Sequence, residues 1–280
     1  MSCIGCDKPL VSVYCNESYL KLPIYHCGKC DLYTTGQTHE QLENILKNYY
    51  KKSMLVDEIK KTLDNDYESG YGRYIKNQWF SQNDYCKPYY QNRKNLLEIG
   101  PGTGLALTMF ENNGFQVTGI ESNGNYVNFI NNKLKNGHCL FGFVEDIPIT
   151  EKFDIIWLSH CFEHTIRPDL LLKECKDSLS DNGFIFIAVP DCQNKKILKL
   201  SIDDNASSYH FTKKSLKILA QNVGLKVERC DSMRELYRIE GRMHLILKKY
   251  FSYINKRICP FYPFKKTEKN GVEIRMILKK

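Results

Sequence analysis

Leu96-Leu97-Glu98-Ile99-Gly100-Pro101-Gly102-Thr103-Gly104 is the stretch on which the reading of this chain turns. A short apolar run ends in three alternate glycines and passes directly into a segment with helical spacing, which predicts strand, tight turn and helix. Glycines at such a turn let the backbone bend sharply and let a ligand come close to the main chain at the helix N-terminus. The next apolar run, FQVTGI, ends at Glu121, about 20 residues on, where an acid can accept hydrogen bonds from both hydroxyls of a ribose. The spacing argues against a nicotinamide dinucleotide, whose G-x-G-x-x-G would place glycine where Leu105 stands. Glu98, two residues before the turn, suits a ligand with a cationic or amino group there.

Downstream, the apolar runs CLFGF, FDIIWLS and FIFIAV alternate with helix-length segments such as NYVNFINNKL and PDLLLKECKDSL. Alternating strands and helices predict an α/β, doubly wound parallel sheet. A helix at TKKSLKILAQNV with Thr212 as N-cap, a strand at LKVERC, a helical insertion over about 233–258 and a closing strand at VEIRMIL complete a domain spanning 93–280. Residues 37–92 read as a helical connector or cap, with helices at HEQLENILKNYY and MLVDEIKKTL. Its aromatic residues Tyr71, Tyr74, Trp79, Phe80, Tyr85 and Tyr89 serve either packing or a substrate cleft.

Upstream, Cys3-Ile4-Gly5-Cys6 and Cys27-Gly28-Lys29-Cys30 form two C-x-x-C pairs with 20 residues between them. Two such knuckles suit tetrahedral zinc rather than a redox pair. The strand-like LVSVYCNESYLKLPIYH between them predicts a small zinc ribbon over residues 1–36, since so short a segment needs a staple. Four thiolates leave the ion no open position, so the role is structural.

With Glu121, E-I-G-P-G-T-G resembles the cofactor motif of class I S-adenosylmethionine methyltransferases. The resemblance continues through Phe143-Val144-Glu145-Asp146-Ile147 and FDIIWLSHCFEHTIRPDLLLKECKDSLSDNGFIFIAVPD, covering roughly residues 95 to 230, with a turn at Asp181-Asn182-Gly183 before the fifth strand. It implies a seven-stranded Rossmann-like sheet. It also implies that Gly100, Gly102 and Gly104 pass under the methionine and ribose parts of the cofactor, that Glu98 holds its amino end and that Glu121, beside Ser122, takes the ribose hydroxyls. Asp146 or its neighbour Glu145, with Ile147, would hold the adenine, and Ser159 closes the site at the fourth strand.

Methyl transfer from a sulfonium to a hydroxyl needs an aligned nucleophile and a base. His160, Glu163 and His164 follow the fourth strand at the ligand-binding edge of the sheet. His210, in Tyr209-His210-Phe211-Thr212, resembles the H-F-T segment of sugar methyltransferases. The run H-x-x-E-H formally matches an inverted zinc-protease signature, but it stands at a strand-to-helix turn. It also resembles the E-x-x-E-H metal site of quinone O-methyltransferases, with His160 in place of the first Glu. The C-x-x-C pairs followed by CDLYTTGQTHEQLENILKNYY resemble the opening of zinc-ribbon methyltransferases of sugar and surface-glycan pathways, although Asp31 replaces their usual glycine. O-methylation of a sugar or glycan-precursor hydroxyl is the expectation.

The chain carries 40 Lys/Arg against 32 Asp/Glu, and residues 231–280 alone hold 13 against 5, the whole +8 excess. The basic, helically spaced MRELYRIEGRMHLILKKYFSYINKRI can be a lid, a dimer face or a contact with an anionic membrane. It also keeps open a second reading, an RNA methyltransferase, although Ser159-His160-Cys161-Phe162 stands where base-amino methylases carry Asn-Pro-Pro-Tyr. A third reading is a non-catalytic protein that binds S-adenosylmethionine and recruits a partner. No apolar run reaches the roughly 18–20 residues of a membrane span, and the unpaired cysteines among the twelve read as reduced thiols, so a cytoplasmic protein is expected.

Overall fold

The computed structural model describes residues 2–36, 38–52, 70–203, 206–235, 264–267 and 271–280. The connector opens with α1 (His39–Lys52), whose start is closed by a capping box: Gln41 N donates to Thr38 Oγ1 at 3.3 Å and Thr38 N to Gln41 Oε1 at 3.2 Å. The expected helix at MLVDEIKKTL lies outside the described residues. α2 (Gly70–Tyr90) follows; Trp79 and Tyr85 are buried, Phe80 and Tyr89 pack against the same apolar cluster, and Tyr74 and Trp79 also border a cavity.

The strand-and-helix alternation is borne out by β4 (Asn95–Ile99), α3 (Leu105–Asn112), β5 (Gln116–Glu121), α4 (Gly124–Lys133), β6 (His138–Phe141), β7 (Phe153–Ser159), α5 (Pro168–Ser178) and β8 (Leu179–Pro190). Then come α6 (Lys195–Asp203), β9 (Tyr209–His210), α7 (Lys213–Asn222), β10 (Lys226–Glu235), β11 (Phe264–Thr267) and β12 (Glu273–Lys279). Thr212 caps α7 as its sequence predicts, in a capping box with Ser215.

The main sheet runs β11-β10-β12-β8-β7-β4-β5-β6. Strands β6, β5, β4, β7 and β8 are parallel, and β12, β10 and β11 join antiparallel. The sheet is therefore mixed and has eight strands among the described residues, not seven: β11 adds an edge to β10. Residues 233–235 belong to β10, so the helical insertion expected from 233 does not begin there; 236–258 lie outside the described residues. Ser180–Gly183 bulge out of the ladder, since Phe153 pairs with Leu179 and Ile155 with Phe184, which is the expected turn folded into a strand.

Neighbouring residues of β4 face opposite layers, as the pleat requires. Leu96 packs with Trp157, Phe110 and Phe186 under α2 and α3, and Leu97 with Ile156, Ile185 and Leu172 under α5. The chain winds outward from β4 to β6 and returns to β7. This reversal opens a crevice beyond the ends of β4 and β7.

The N-terminal module is less separate than a 1–36 boundary implies. Its strands β1 (Val13–Cys15), β2 (Ile24–Cys27) and β3 (Leu32–Thr35) take β9 as a fourth, with Tyr33 opposite His210 and Thr34 opposite Tyr209. Cys3, Cys30 and Leu32 share one apolar cluster with Tyr209, Phe211 and Leu216. Some thirty residues bury too little surface alone, and the larger domain supplies the remainder. No helix among the described residues is long and apolar enough to cross a membrane.

Candidate functional site

The crevice holds two adjoining cavities, of about 760 and 300 Å³, both bordered by Gly100, Gly102, Tyr126, His160 and His164. The glycine turn lies between them with positive φ at Gly100, Gly102 and Gly104 (68°, 54° and 72°). A side chain at Gly104 would strike Ile130 at 2.5 Å, whereas one at Gly102 would meet nothing within 4 Å. Gly104 is thus required by packing. Gly102 leaves open the space a ligand would fill.

Glu98 is buried on the larger cavity, and its Oε2 has no hydrogen-bond partner among the described residues. Burial pushes its pKa up to about 8, against a lowering contact with the Leu107 backbone. A buried carboxylate with one oxygen lacking a donor fits a ligand that brings an ammonium group. Glu121, at the end of β5, accepts from Gly102 N and Asn123 N at 2.9 Å each, which aims its carboxylate along the smaller cavity. Burial raises its pKa, and these donors oppose the rise. Ser122 lines the same cavity.

Of the adjoining acids, Glu145 stands at the smaller cavity, with Oε1 accepting from Ile166 N at 2.8 Å. Asp146 is half exposed and ion-paired with Lys47 of α1 at 2.8 Å. Neither Asp146 nor Ile147 is among the cavity-lining residues; Phe143 and Val144 are. Of the two acids, the structure sets Glu145 at the cavity and pairs Asp146 with Lys47 at the surface.

His160, Glu163 and His164 leave β7 through a 3-10 turn at Phe162–His164. His160 adopts the left-handed backbone, φ 53°, uncommon for a side chain other than glycine. Its Nε2 lies 2.8 Å from Glu273 Oε2 and its Nδ1 3.7 Å from Glu163 Oε1. Burial opposes charge on this ring, but the two carboxylates outweigh burial and raise its pKa to about 10. His160 therefore carries its proton at neutral pH and is a poor base. The same contacts hold Glu163 ionised, its pKa lowered against burial.

His164 is set differently. Its Nδ1 donates to the carbonyl of Ala206 at 3.0 Å, which places a proton on Nδ1 and fixes the orientation of the ring. The ring borders both cavities, with Nε2 3.8 Å from Glu163 Oε1.

His210 lines neither cavity. It is buried in β9 with Nδ1 hydrogen-bonded to Ser201 Oγ at 2.8 Å, and burial, helped by nearby His164, pushes its pKa down to about 3. The structure thus places it in packing, apart from both cavities.

Ser159 donates to Gln82 Oε1 at 3.0 Å on the larger cavity. Gln78, Gln82 and Ser207 share that wall, and Glu273 lies behind it. Gln78 and Gln82 stand four apart on α2, a same-face spacing that marks them once the helix is recognised. Glu273 has no such signal.

In the N-terminal module the sulfurs of Cys3, Cys6, Cys27 and Cys30 all lie within 4.8 Å of one another, the sole metal-binding group of this kind among the described residues. His160, Glu163 and His164 form no such group. Asp7 and Asp31, each following the second cysteine of a knuckle, have φ of 56° and 57°. This left-handed turn explains the resemblance's usual glycine, and aspartate is among the residues that tolerate it. Four sulfurs at these distances fit a tetrahedral ion with bonds of about 2.3 Å.

Residues 71–229 match a family described as methyltransferase domain. An uncharacterized methyltransferase of Staphylococcus carnosus (strain TM300) is 27% identical over 148 residues, 48% of this chain and 70% of that protein. A ubiquinone biosynthesis O-methyltransferase of Glaesserella parasuis serovar 5 is 30% identical over 105 residues, 34% of this chain and 44% of that one; the chain spans about half the length of the ubiquinone relatives it matches. Among solved structures, a SAM-dependent methyltransferase from Archaeoglobus fulgidus superposes with a TM-score of 0.53 at 16% identity, covering 73% of this chain and 94% of that chain. The plantazolicin methyltransferase BpumL in complex with SAH gives 0.54 at 15%, covering 86% and 98%. At such identities the superpositions speak for the fold.

Proposed function

The chain belongs to the methyltransferase-domain family and is an S-adenosylmethionine-dependent methyltransferase, and from that premise we propose that it O-methylates a polyhydroxylated acceptor, a sugar or glycan precursor, with His164 as general base. The observation that carries this reading is the placement of His164, whose Nδ1 is held by the carbonyl of Ala206 and whose ring borders both cavities. A hydroxyl is a poor nucleophile until its proton is taken, and a positioned imidazole removes it. The relatives named O-methyltransferase agree with a hydroxyl acceptor.

Bound S-adenosylmethionine supplies an electrophilic methyl group. Glu98 would pair with its ammonium, the Gly102 main chain would lie under it, and Glu121 would accept from its ribose hydroxyls. Phe143 and Val144 would border the base in the smaller cavity. Glu163, ionised between two histidines, stabilises His164 as it gains a proton. The larger cavity sets Gln78, Gln82, Ser159 and Ser207, which can bond sugar hydroxyls, beside Tyr74, Trp79 and Tyr126, whose rings can take the C–H face of a sugar. The four cysteines would hold a structural zinc ion.

The test is calorimetric titration with S-adenosylmethionine and S-adenosylhomocysteine, then transfer of labelled methyl to nucleotide-linked sugars, with catechol and RNA as rival acceptors. Label in a sugar hydroxyl is the expected result. Label in catechol or RNA alone overturns the acceptor class, and absence of cofactor binding overturns the site.

A further inference from the structure

Glu273 lies outside the segment matched by the family, on the last strand. Its pairing with Pro190 sets it against the end of β8, behind the larger cavity. The carboxylate is buried, and a single oxygen, Oε2, gathers Gln78 Nε2 at 2.7 Å, His160 Nε2 at 2.8 Å and Gln82 Nε2 at 3.1 Å. Oε1 is held by Arg275 Nε.

An ionised carboxylate has only lone pairs to offer, so each of these neighbours must turn an N–H toward it. This settles orientations that side-chain shape alone leaves ambiguous. The amide nitrogen of Gln78 is committed to Glu273, which leaves its carbonyl oxygen for the cavity it lines. Gln82 is fixed at both ends, since its carbonyl accepts from Ser159. His160 commits its Nε2 proton in the same way. Gln78 Nε2 also lies 2.8 Å from His160 Nε2, so the carboxylate, the amide and the ring form one close cluster.

We propose that Glu273 is a positioning residue of the acceptor site: it makes Gln78 present a hydrogen-bond acceptor to an incoming hydroxyl and withholds His160 from base duty, leaving that role to His164. The inference rests on reading the larger cavity as the acceptor site. The charged groups around His160 are Glu163 beside Nδ1, Glu273 beside Nε2, and Arg275 beyond Glu273, with His164 beyond Glu163 and Glu98 on the same cavity. Arg275 balances Glu273, and His160 balances Glu163, so the cluster is nearly neutral and favours an uncharged hydroxyl over an ionic acceptor group.

The experiment is a carbon-13 histidine NMR titration of the full chain, with nitrogen-15 detection of glutamine side chains, on wild type and Glu273→Gln. Because that variant leaves Arg275 buried without its carboxylate, the double variant Glu273→Gln/Arg275→Met is the second sample. In wild type, His160 should stay protonated above pH 8. In both variants it should titrate about 1 to 3 pH units lower, the effect of losing an adjacent opposite charge, and the Gln78 amide signals should move. A His160 titration that is the same in wild type and both variants overturns the proposal. S-adenosylhomocysteine binding, measured by calorimetry, should be unchanged by the variants; its absence from wild type would remove the cofactor reading while leaving a confirmed Glu273–His160–Gln78 arrangement intact.

Discussion

Tyr33 of the cysteine module and His210 of β9 lie directly opposite each other in an antiparallel ladder. The ladder continues into the candidate site: Thr35 N donates to Ser208 O at 3.0 Å, Ser208 N to Glu163 O at 2.9 Å, and His164 to the carbonyl of Ala206. Thr212 Oγ1 adds a bond to Asp31 O at 2.9 Å, beside the second knuckle. The module therefore braces the segment that orients His164.

This predicts that Cys30→Ser lowers the zinc content found by elemental analysis and lowers the melting temperature, because metal-binding free energy is folding free energy in such modules. It should also shift the His164 NMR signal. Loss of zinc with an unchanged His164 signal would show that the two sites are independent.

His164→Gln should reduce kcat by about 10²- to 10⁴-fold, the usual contribution of a general base, with S-adenosylhomocysteine affinity unchanged. His160→Gln should lose less, since its ring is already protonated. Equal losses in kinetic assays of the two variants would contradict the assignment of roles.

The glycine turn separates packing from binding. Gly104→Ala should destabilise the fold, adding about 1–2 kcal/mol for a left-handed side-chain residue and about 1–3 kcal/mol for overpacking against Ile130. Gly102→Ala shares the backbone cost alone, yet should be the variant that loses cofactor affinity. Thermal melts and calorimetry on the pair decide it, and normal binding by Gly102→Ala would place the cofactor elsewhere.

Stability should depend on pH through His160 and Glu273. His160 binds its proton more tightly when folded, at about 10 against 6.5, so its pairing contributes fully below pH 6.5 and fades as pH rises through 10. Glu273 is held down to about 2 against 4.5: burial opposes its charge, and Arg275 and His160 overcome that. Its contribution is therefore present above pH 4.5 and lost as pH falls toward 2. Between pH 6.5 and 10, wild type should lose melting temperature faster than His160→Gln; parallel curves would refute the pairing.

The local features were legible because they depend on near neighbours. Apolar periodicity marked β4, β5, β7 and β8, a threonine N-cap marked the start of α7, and G-x-G-x-G marked a tight turn. Glu98, Glu121 and the C-x-x-C pairs could be located for the same reason, since each is set by its distance from a turn.

What the tertiary structure alone decided is which of these groups meet. His210 and His160 look as competent as His164 in one dimension, and in the fold one is buried beside Ser201 and the other lies between two acids. Asp146 pairs with a lysine of α1, the cysteine module takes its fourth strand from Tyr209–His210 of the larger domain, and Glu273 reaches His160 from the closing strand. Such partners are set by strand order and by which carboxylate is shielded from water. Neither leaves a periodic trace along the chain, because a hydrogen bond between distant segments constrains their positions in space and not the residues around them in sequence.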